Sequence, residues 1–353
     1  MRLGLNIGYV ATDAGGEHVR LAQVAERAGY TSVWAAEAYG SDVVTLLTWI
    51  AAQTESIDIG TAIMQIPGRS PAMTAMTAAT LDTLTKGRFR LGLGVSGPQV
   101  SEGWHGVRFA KPLARTREYV DVVKLALSRQ TVRYDGEHFM LPLPDGPGKA
   151  LKLMLHPYRQ HIPIYLAVIG PKNLEQTGEI ADGWLSIFFA PEHAEASLGP
   201  LRAGAERSGR TLADLDIVAN VPVVVGDDLD ACAEPLRGYT ALYVGGMGSR
   251  QQNFYNALAR RMGYDEAAEQ IQTLYLDKRH REAMAAVPRD LIDQTALIGP
   301  KERIAERLHA YAEAGVTTIN VTPFAADEAG RIETLRTVSD LVAAEGLGDS
   351  DAR

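Results

Sequence analysis

Residues 57–95 read IDIGTAIMQIPGRSPAMTAMTAATLDTLTKGRFRLGLGV. The run Ile57 to Met64 is apolar and rich in β-branched residues, which predicts a strand. Pro71 to Leu84 has helical composition and stops before Lys86-Gly87. Phe89 to Val95 predicts a second strand. Two strands that read as continuous apolar runs, with a helix between them, imply a parallel pair covered on its outside. The same unit extends in both directions. Upstream, Leu3 to Ile7 and Ser32 to Ala36 are strands. A helix at His18 to Ala28, ended by Gly29, follows the first, and a helix at Asp42 to Gln53 follows the second. Downstream, strands at Ile164 to Val168, Gly183 to Phe188, Leu215 to Val225 and Val316 to Val321 alternate with helices at Pro112 to Ser128, Asn173 to Ala181, Pro191 to Ser208 and Lys301 to Ala314. Eight such units predict a closed (β/α)8 TIM barrel, because closure removes both sheet edges.

Two stretches break the rhythm. Residues 130–160 hold a hairpin signal, Tyr134-Asp135-Gly136-Glu137, and a Pro/Gly-rich loop. Residues 235–299 form a mostly helical insertion opened by Gly245-Gly246-Met247-Gly248. Neither stretch has enough apolar residues for a core of its own. The expectation is one domain over residues 1–353, with insertions after strands 4 and 7 shaping the mouth of the barrel.

The chain has 353 residues, 43 acidic and 35 basic, for a net charge of -8. That balance argues against nucleic acid or an anionic membrane as partner. The single cysteine, Cys232, excludes an internal disulfide and reads as a buried bystander. No uninterrupted apolar run is long enough to span a bilayer, and no signal peptide is apparent, so a cytoplasmic location is expected. The eight histidines show no metal-ligand spacing. The sequon at Asn320 sits in an apolar strand and reads as chance.

Barrel enzymes place their sites at the C-terminal ends of the strands. Those ends are apolar and glycine-rich here, which suits a planar ring lying on backbone and a phosphate held at a helix start. Gly170-Pro171-Lys172-Asn173 is the phosphate candidate, or else a plain turn with a capping Asn. Gly92-Leu93-Gly94-Val95-Ser96-Gly97 matches a dinucleotide fingerprint, but its first two glycines fall inside the strand and Pro98 cuts off the expected helix. Barrel packing and close approach to a ligand are the better reading. Glu37 and Asp42 are a carboxylate pair after strand 2. Asp42 also suits a helix N-cap, with Ser41 as competitor. Arg115 or Arg117 could reach a phosphate or pair with Glu118 or Asp121. Tyr9 and Trp104 are possible pocket walls, Trp104 equally a core residue.

Taken together, these residues resemble the luciferase-like flavin and deazaflavin oxidoreductases. The resemblance rests on Arg2 to Gly8, the Ala-Glu-Ala-Tyr-Gly-Ser-Asp run ending at Asp42, Gly60 to Ile63, Lys86 to Gly94, Lys111 to Tyr119, Gly170 to Asn173 and Ala181 to Trp184. It is strongest with the actinobacterial branch that uses coenzyme F420, through Leu93 to Val100. It implies a TIM barrel, often a homodimer, with the deazaflavin ring at the strand C-termini and a small-molecule substrate. It further implies a cis peptide at Ala62-Ile63 behind the ring. The cofactor contacts implied are Asp42, Ala62, Ile63, Gly94 and Val95, with the tail along Ser96, Gly97, Pro98 and Gln99 and along Val168, Ile169, Gly170, Pro171 and Lys172. Many relatives carry an Asp-His pair after strand 2. Here those positions read Glu37-Ala38, so Glu37 or Tyr39 is the expected proton relay. Where the family's sugar-phosphate enzymes have basic residues after strand 6, this chain has Ile187 to Pro191, so an uncharged, fairly apolar substrate is expected. FMN-dependent monooxygenation is the alternative chemistry, and a non-catalytic cofactor carrier the third reading.

Overall fold

A computed structural model describes residues 1–8 and 16–349. The eight anticipated strands are all present: β1 (Arg2–Gly8), β2 (Ser32–Ala35), β3 (Asp58–Thr61), β4 (Phe89–Gly94), β5 (Ile164–Ala167), β6 (Gly183–Ile187), β7 (Asp216–Val225) and β8 (Thr318–Pro323). Each pairs in parallel with the next, and β8 returns to β1, so the sheet closes into a TIM barrel. Helices α1 (Gly16–Arg27), α2 (Val43–Ala51), α3 (Pro71–Leu84), α4 (Pro98–Gly103), α5 (Pro112–Leu127), α6 (Pro171–Ile180) and α7 (Glu195–Arg207) follow the first six strands in order. Leu91, Leu93, Ile164 and Ile217 point outward into the layer between strands and helices, where the main core lies. The inward positions hold a smaller cluster of Trp34, Tyr165, Leu185 and Val218.

Two glycines make that interior possible. A Cβ on Gly60 would stand 2.3 Å from the Trp34 ring, and one on Gly92 only 1.8 Å from the Thr61 carbonyl oxygen. The Thr61 hydroxyl donates to the Gly92 carbonyl at 2.7 Å and accepts from the Gly92 amide at 2.8 Å. The glycine-rich run is therefore a packing device inside the barrel wall.

The first insertion contains the expected hairpin, Tyr134–Asp135 against Met140–Leu141. Its turn is closed by Glu118, whose carboxylate accepts the amides of Glu137, His138 and Phe139. The second insertion differs from expectation in two ways. Helix α8 (Leu229–Ala241) runs through Pro235 and continues into a π-turn at Leu242–Gly246. Gly245 and Gly246 therefore prolong a helix, because Tyr275 packs where their side chains would be. Helices α9 (Phe254–Arg261), α10 (Asp265–Leu276), α11 (His280–Ala285) and α12 (Arg289–Thr295) follow, then a short strand Leu297–Gly299 beside β7, helix α13 (Lys301–Glu313), β8 and α14 (Glu328–Ala344). This stretch does build a core: Leu236, Val244, Ile271, Leu291 and Ile298 bury together, apart from the main cluster. Its apolar side chains are spread over short helices rather than gathered in runs, which hid them in the sequence. Cys232 lies in that core, where burial pushes its thiol pKa up. No helix among the described residues is long and apolar enough to cross a membrane.

The N-terminal floor of the barrel is polar. Asp216 accepts from Arg2 at 2.8 Å, Arg90 at 3.2 Å, Tyr165 at 3.0 Å, Thr317 at 2.6 Å and Thr318 at 2.8 Å. Arg90 also donates to Asp58 at 2.8 Å. Replacing Asp216 by Asn leaves Arg2 without its acid and Arg90 with one carboxylate instead of two. Breaking a buried ion pair from one side costs about 3–5 kcal/mol. Urea unfolding of Asp216→Asn is expected to show a loss toward the lower end of that range; a loss below about 0.5 kcal/mol, the size of an ordinary surface substitution, would show the hub to be unimportant.

Candidate active site

After Thr61 the third strand is interrupted by a cis peptide at Ala62-Ile63, at the expected place. The chain then rejoins the sheet as Met64–Gln65, paired with Leu93 and Gly94 of β4. The bulge is tied to the end of β2 on both sides. The Ala62 amide donates to the Ala35 carbonyl at 2.6 Å, and the Glu37 amide donates to the Ile63 carbonyl at 3.2 Å. Ala62 and Ile63 are half-buried and rest on the inner cluster of Trp34, Tyr165, Leu185 and Val218. Gly94 leaves room for Ile63: a Cβ there would lie 2.6 Å from Ile63 Cδ1. The result is a small apolar shelf at the C-terminal mouth.

Glu37 braces this shelf. One carboxylate oxygen accepts the Gln65 amide at 2.9 Å and an Arg69 nitrogen, and the other faces the Val43 amide at 3.3 Å. Its side chain is only 9% exposed. Asp42 is the N-cap of α2, accepting from the Thr45 amide at 2.7 Å and the Thr45 hydroxyl at 2.6 Å, and its second oxygen binds Arg69 at 2.5 Å. Burial works against its charge, but the Thr45 hydrogen bonds and the Arg69 guanidinium hold its carboxyl below the usual carboxylate range. Arg69, from the loop before α3, thus gathers both acids. Glu37 and Asp42 have their oxygens engaged by backbone amides, the Thr45 hydroxyl and Arg69, and of the two readings of Asp42 the structure shows the N-cap. Tyr39, 67% exposed, stays at the rim.

The end of β4 shows a further link. Gln65, almost fully buried, donates to the Ser96 hydroxyl at 2.9 Å, and its carbonyl pairs with His105 Nε2 at 2.8 Å. Ser96 itself adopts a left-handed conformation, φ 60°. His105 is the residue sequence reasoning missed at this mouth, because its partner lies 40 positions away. Val95, Ser96, Gly97 and Pro98 are half-exposed, and a Cβ on Gly97 would meet nothing closer than the flexible Gln99 side chain at 3.2 Å. Gly170 is equally open, with Asn173 at 3.4 Å, and it is the N-cap of α6 without a side-chain cap. The Asn173 cap considered from sequence is not formed, and the first-turn amides of α6 beside Pro171 and Lys172 stay open to an anion.

Two other expectations change. Arg117 pairs with Glu179 of α6 at 2.6 Å, while Arg115 donates to the Arg108 carbonyl, so neither takes Glu118 or Asp121. Trp104 is 65% exposed, which excludes the core role. Tyr9 lies outside the described residues. Between the ends of β5 and β6 and helix α9 lies a narrow cleft with a free volume of only about 30 Å³. Val168, Ile169, Ile187, Phe188 and Phe189 line it, as the apolar strand ends foretold, but so does Arg261. Arg261, a residue from the insertion, was not among the strand-end residues considered from sequence.

This arrangement coincides with a known architecture. The family profile described as luciferase-like monooxygenase matches residues 4–318. A protein of Mycobacterium tuberculosis with the provisional designation coenzyme F420-dependent oxidoreductase is 42% identical over 349 residues, covering 97% of this chain and 99% of that one. Among solved structures, the coenzyme F420-dependent tetrahydromethanopterin reductase of Methanopyrus kandleri superposes with a TM-score of 0.82 at 24% identity, over 97% of this chain and 98% of that one. An F420-dependent secondary alcohol dehydrogenase, solved with an F420–acetone adduct, superposes with a TM-score of 0.79 at 18% identity, over 97% and 98% of the two chains. At these identities the two structures speak to the fold alone.

If Glu37 is a brace, Glu37→Gln loses its charge on Arg69 but keeps its shape. It is expected to lower stability by about 1–3 kcal/mol and to leave the pH profile of turnover unshifted, whereas Tyr39→Phe alters the profile. Movement of a pH limb in Glu37→Gln would make Glu37 the relay after all.

Proposed function

We propose a function from one premise: the chain belongs to the luciferase-like monooxygenase family. It is an oxidoreductase that uses the deazaflavin coenzyme F420 as its hydride carrier on a fairly apolar organic substrate. The observation that carries this reading is the shelf at Ala62-Ile63, flanked by open backbone at Gly97 and Gly170. The designation of the 42% identical relative supports the choice of cofactor. When bound, the deazaflavin supplies hydride exchange at C5, the hard part of the chemistry.

The chain's own residues bind and orient. Ala62 and Ile63 support a planar ring from behind. Gly94 to Gln99 offer backbone on one side, and Val168 to Lys172 offer backbone amides and a lysine on the other. Glu37, Asp42 and Arg69 hold the shelf in place. Phe188 and Ile187 exclude water from the apolar end of the cleft. Tyr39 supplies or accepts the proton at the rim. Titration of the purified protein tests the cofactor: deazaflavin F420 is expected to bind at micromolar concentration or below, and FMN far more weakly. Micromolar FMN binding with no deazaflavin binding would favour a monooxygenase and overturn this reading.

The assembly is a homodimer through α2 and α3. Helix α2 contains no charged residue and α3 only Asp82, which is buried. Trp49, Met73, Met76 and Leu84 stand exposed on these two helices. Surface helices without exposed charge suit a self-complementary two-fold contact. Sedimentation is expected to give a dimer for the native chain and a monomer for Met76→Asp; a native monomer refutes the proposal.

A further inference from the structure

Across the mouth from the shelf, β8 ends in a hydroxyl with a proton to spare. Along β1 and β8 the positions Leu3, Leu5, Ile319 and Val321 belong to the main core outside the barrel. Asn6 and Thr322 alternate with them and so face the interior, at the C-terminal ends of their strands. The direction of their contact is fixed by chemistry. β1 bulges between Asn6 and Gly8, and the Gly8 amide donates to Asn6 Oδ1 at 3.1 Å. A backbone N–H only donates, so the other amide atom of Asn6, Nδ2, is the one that meets Thr322, at 2.9 Å. An amide nitrogen only donates too, so the Thr322 hydroxyl accepts and its own proton is left over. Thr322 is half-buried and makes no further hydrogen bond among the described residues. The pair stands in one row with the shelf. Asn6 is the cross-strand neighbour of Trp34, and Trp34 that of Gly60, two residues before Ala62. From Thr322 to Ala62 is three strand spacings, about 14 Å along the wall, which admits a ring on the shelf and a small molecule beside it. Asn6 and Thr322 carry no charge, and the acids at this mouth, Glu37 and Asp42, are held by Arg69.

We propose that Thr322 determines specificity: its hydroxyl donates to a neutral carbonyl oxygen, that of a ketone or aldehyde, on a substrate lying between the shelf and β8. Asn6 is the positioning residue, because it accepts from Gly8 and thereby turns the Thr322 proton toward the substrate. A carboxylate would find a hydrogen bond there but no counter-charge, and its desolvation costs more than that of a carbonyl. A hydrocarbon of the same shape would leave the hydroxyl unmet, and a site built to hydrogen-bond rejects such an analogue. The placement of the substrate beside a ring rests on the F420 reading; the orientation of Asn6 and Thr322 does not.

Calorimetric titration of the full chain, loaded with F420, tests this. The probes are the methyl ketones from butan-2-one to decan-2-one, each paired with the alkene that has a CH2 group in place of the oxygen. A neutral hydrogen bond corresponds to about three- to tenfold in affinity. The native protein is expected to prefer at least one ketone to its alkene by that factor. Thr322→Val, which keeps the shape, is expected to lose the preference while binding the alkene as the native protein does, and Thr322→Ser to keep it. Asn6→Asp offers Thr322 an acceptor instead of a donor, draws the hydroxyl proton back into the wall, and is expected to lose the preference as well. The proposal is overturned if the native protein prefers no ketone in the series, if Thr322→Val keeps the preference, or if Thr322→Val weakens ketone and alkene alike, which marks a merely structural role. Retention of the preference in Asn6→Asp would refute the part given to Asn6. If the native protein binds no F420, the F420 reading fails, and the same titrations on the cofactor-free chain decide the role of Thr322 separately.

Discussion

Asp216 is the constraint on which the rest of the barrel depends. One buried carboxylate collects donors from β1, β4, β5 and the start of β8, and Arg90 passes the connection on to Asp58 of β3. A parallel barrel has no hairpins to fix its register, so a polar hub that is satisfied in one alignment performs that job. Such networks contribute little net stability compared with an apolar replacement, but they penalise every wrong pairing. The Tyr165 hydroxyl belongs to the hub, and its ring meets Trp34 edge-on with centroids 5.1 Å apart. Trp34 and Tyr165 in turn carry Ala62 and Ile63. The floor is therefore linked to the shelf through the Tyr165 and Trp34 rings.

Glycine supplies the complementary condition. The interior admits an indole ring only because Gly60 has no side chain, and β3 approaches β4 only because Gly92 has none. Past Thr61 the strand is interrupted, and Glu37 with Arg69 ties the bulge in place. Aromatic bulk, absent side chains and a braced bulge are thus one arrangement seen at three positions.

Much of this was legible in the chain. Strands buried on both faces read as apolar runs, so all eight were found within a few residues, and resemblance placed the bulge at Ala62-Ile63. What escaped were pairings between distant residues. Arg69 joins Glu37 across 32 positions, His105 joins Gln65 across 40, and Arg117 finds Glu179 across 62. Local pattern gives no signal for such partners. Nor did it reveal the second core, whose apolar residues come in short clusters spread over several helices.

The lone thiol has a practical side. Cys232 is packed under the insertion, where its raised pKa keeps it protonated and its burial keeps reagents away. The native protein is expected to react slowly with maleimides and similar probes under non-denaturing conditions. A cysteine introduced at the rim would be the sole reactive handle on the molecule. Spectroscopic labels could then report distances across the mouth without first stripping a background residue from the scaffold.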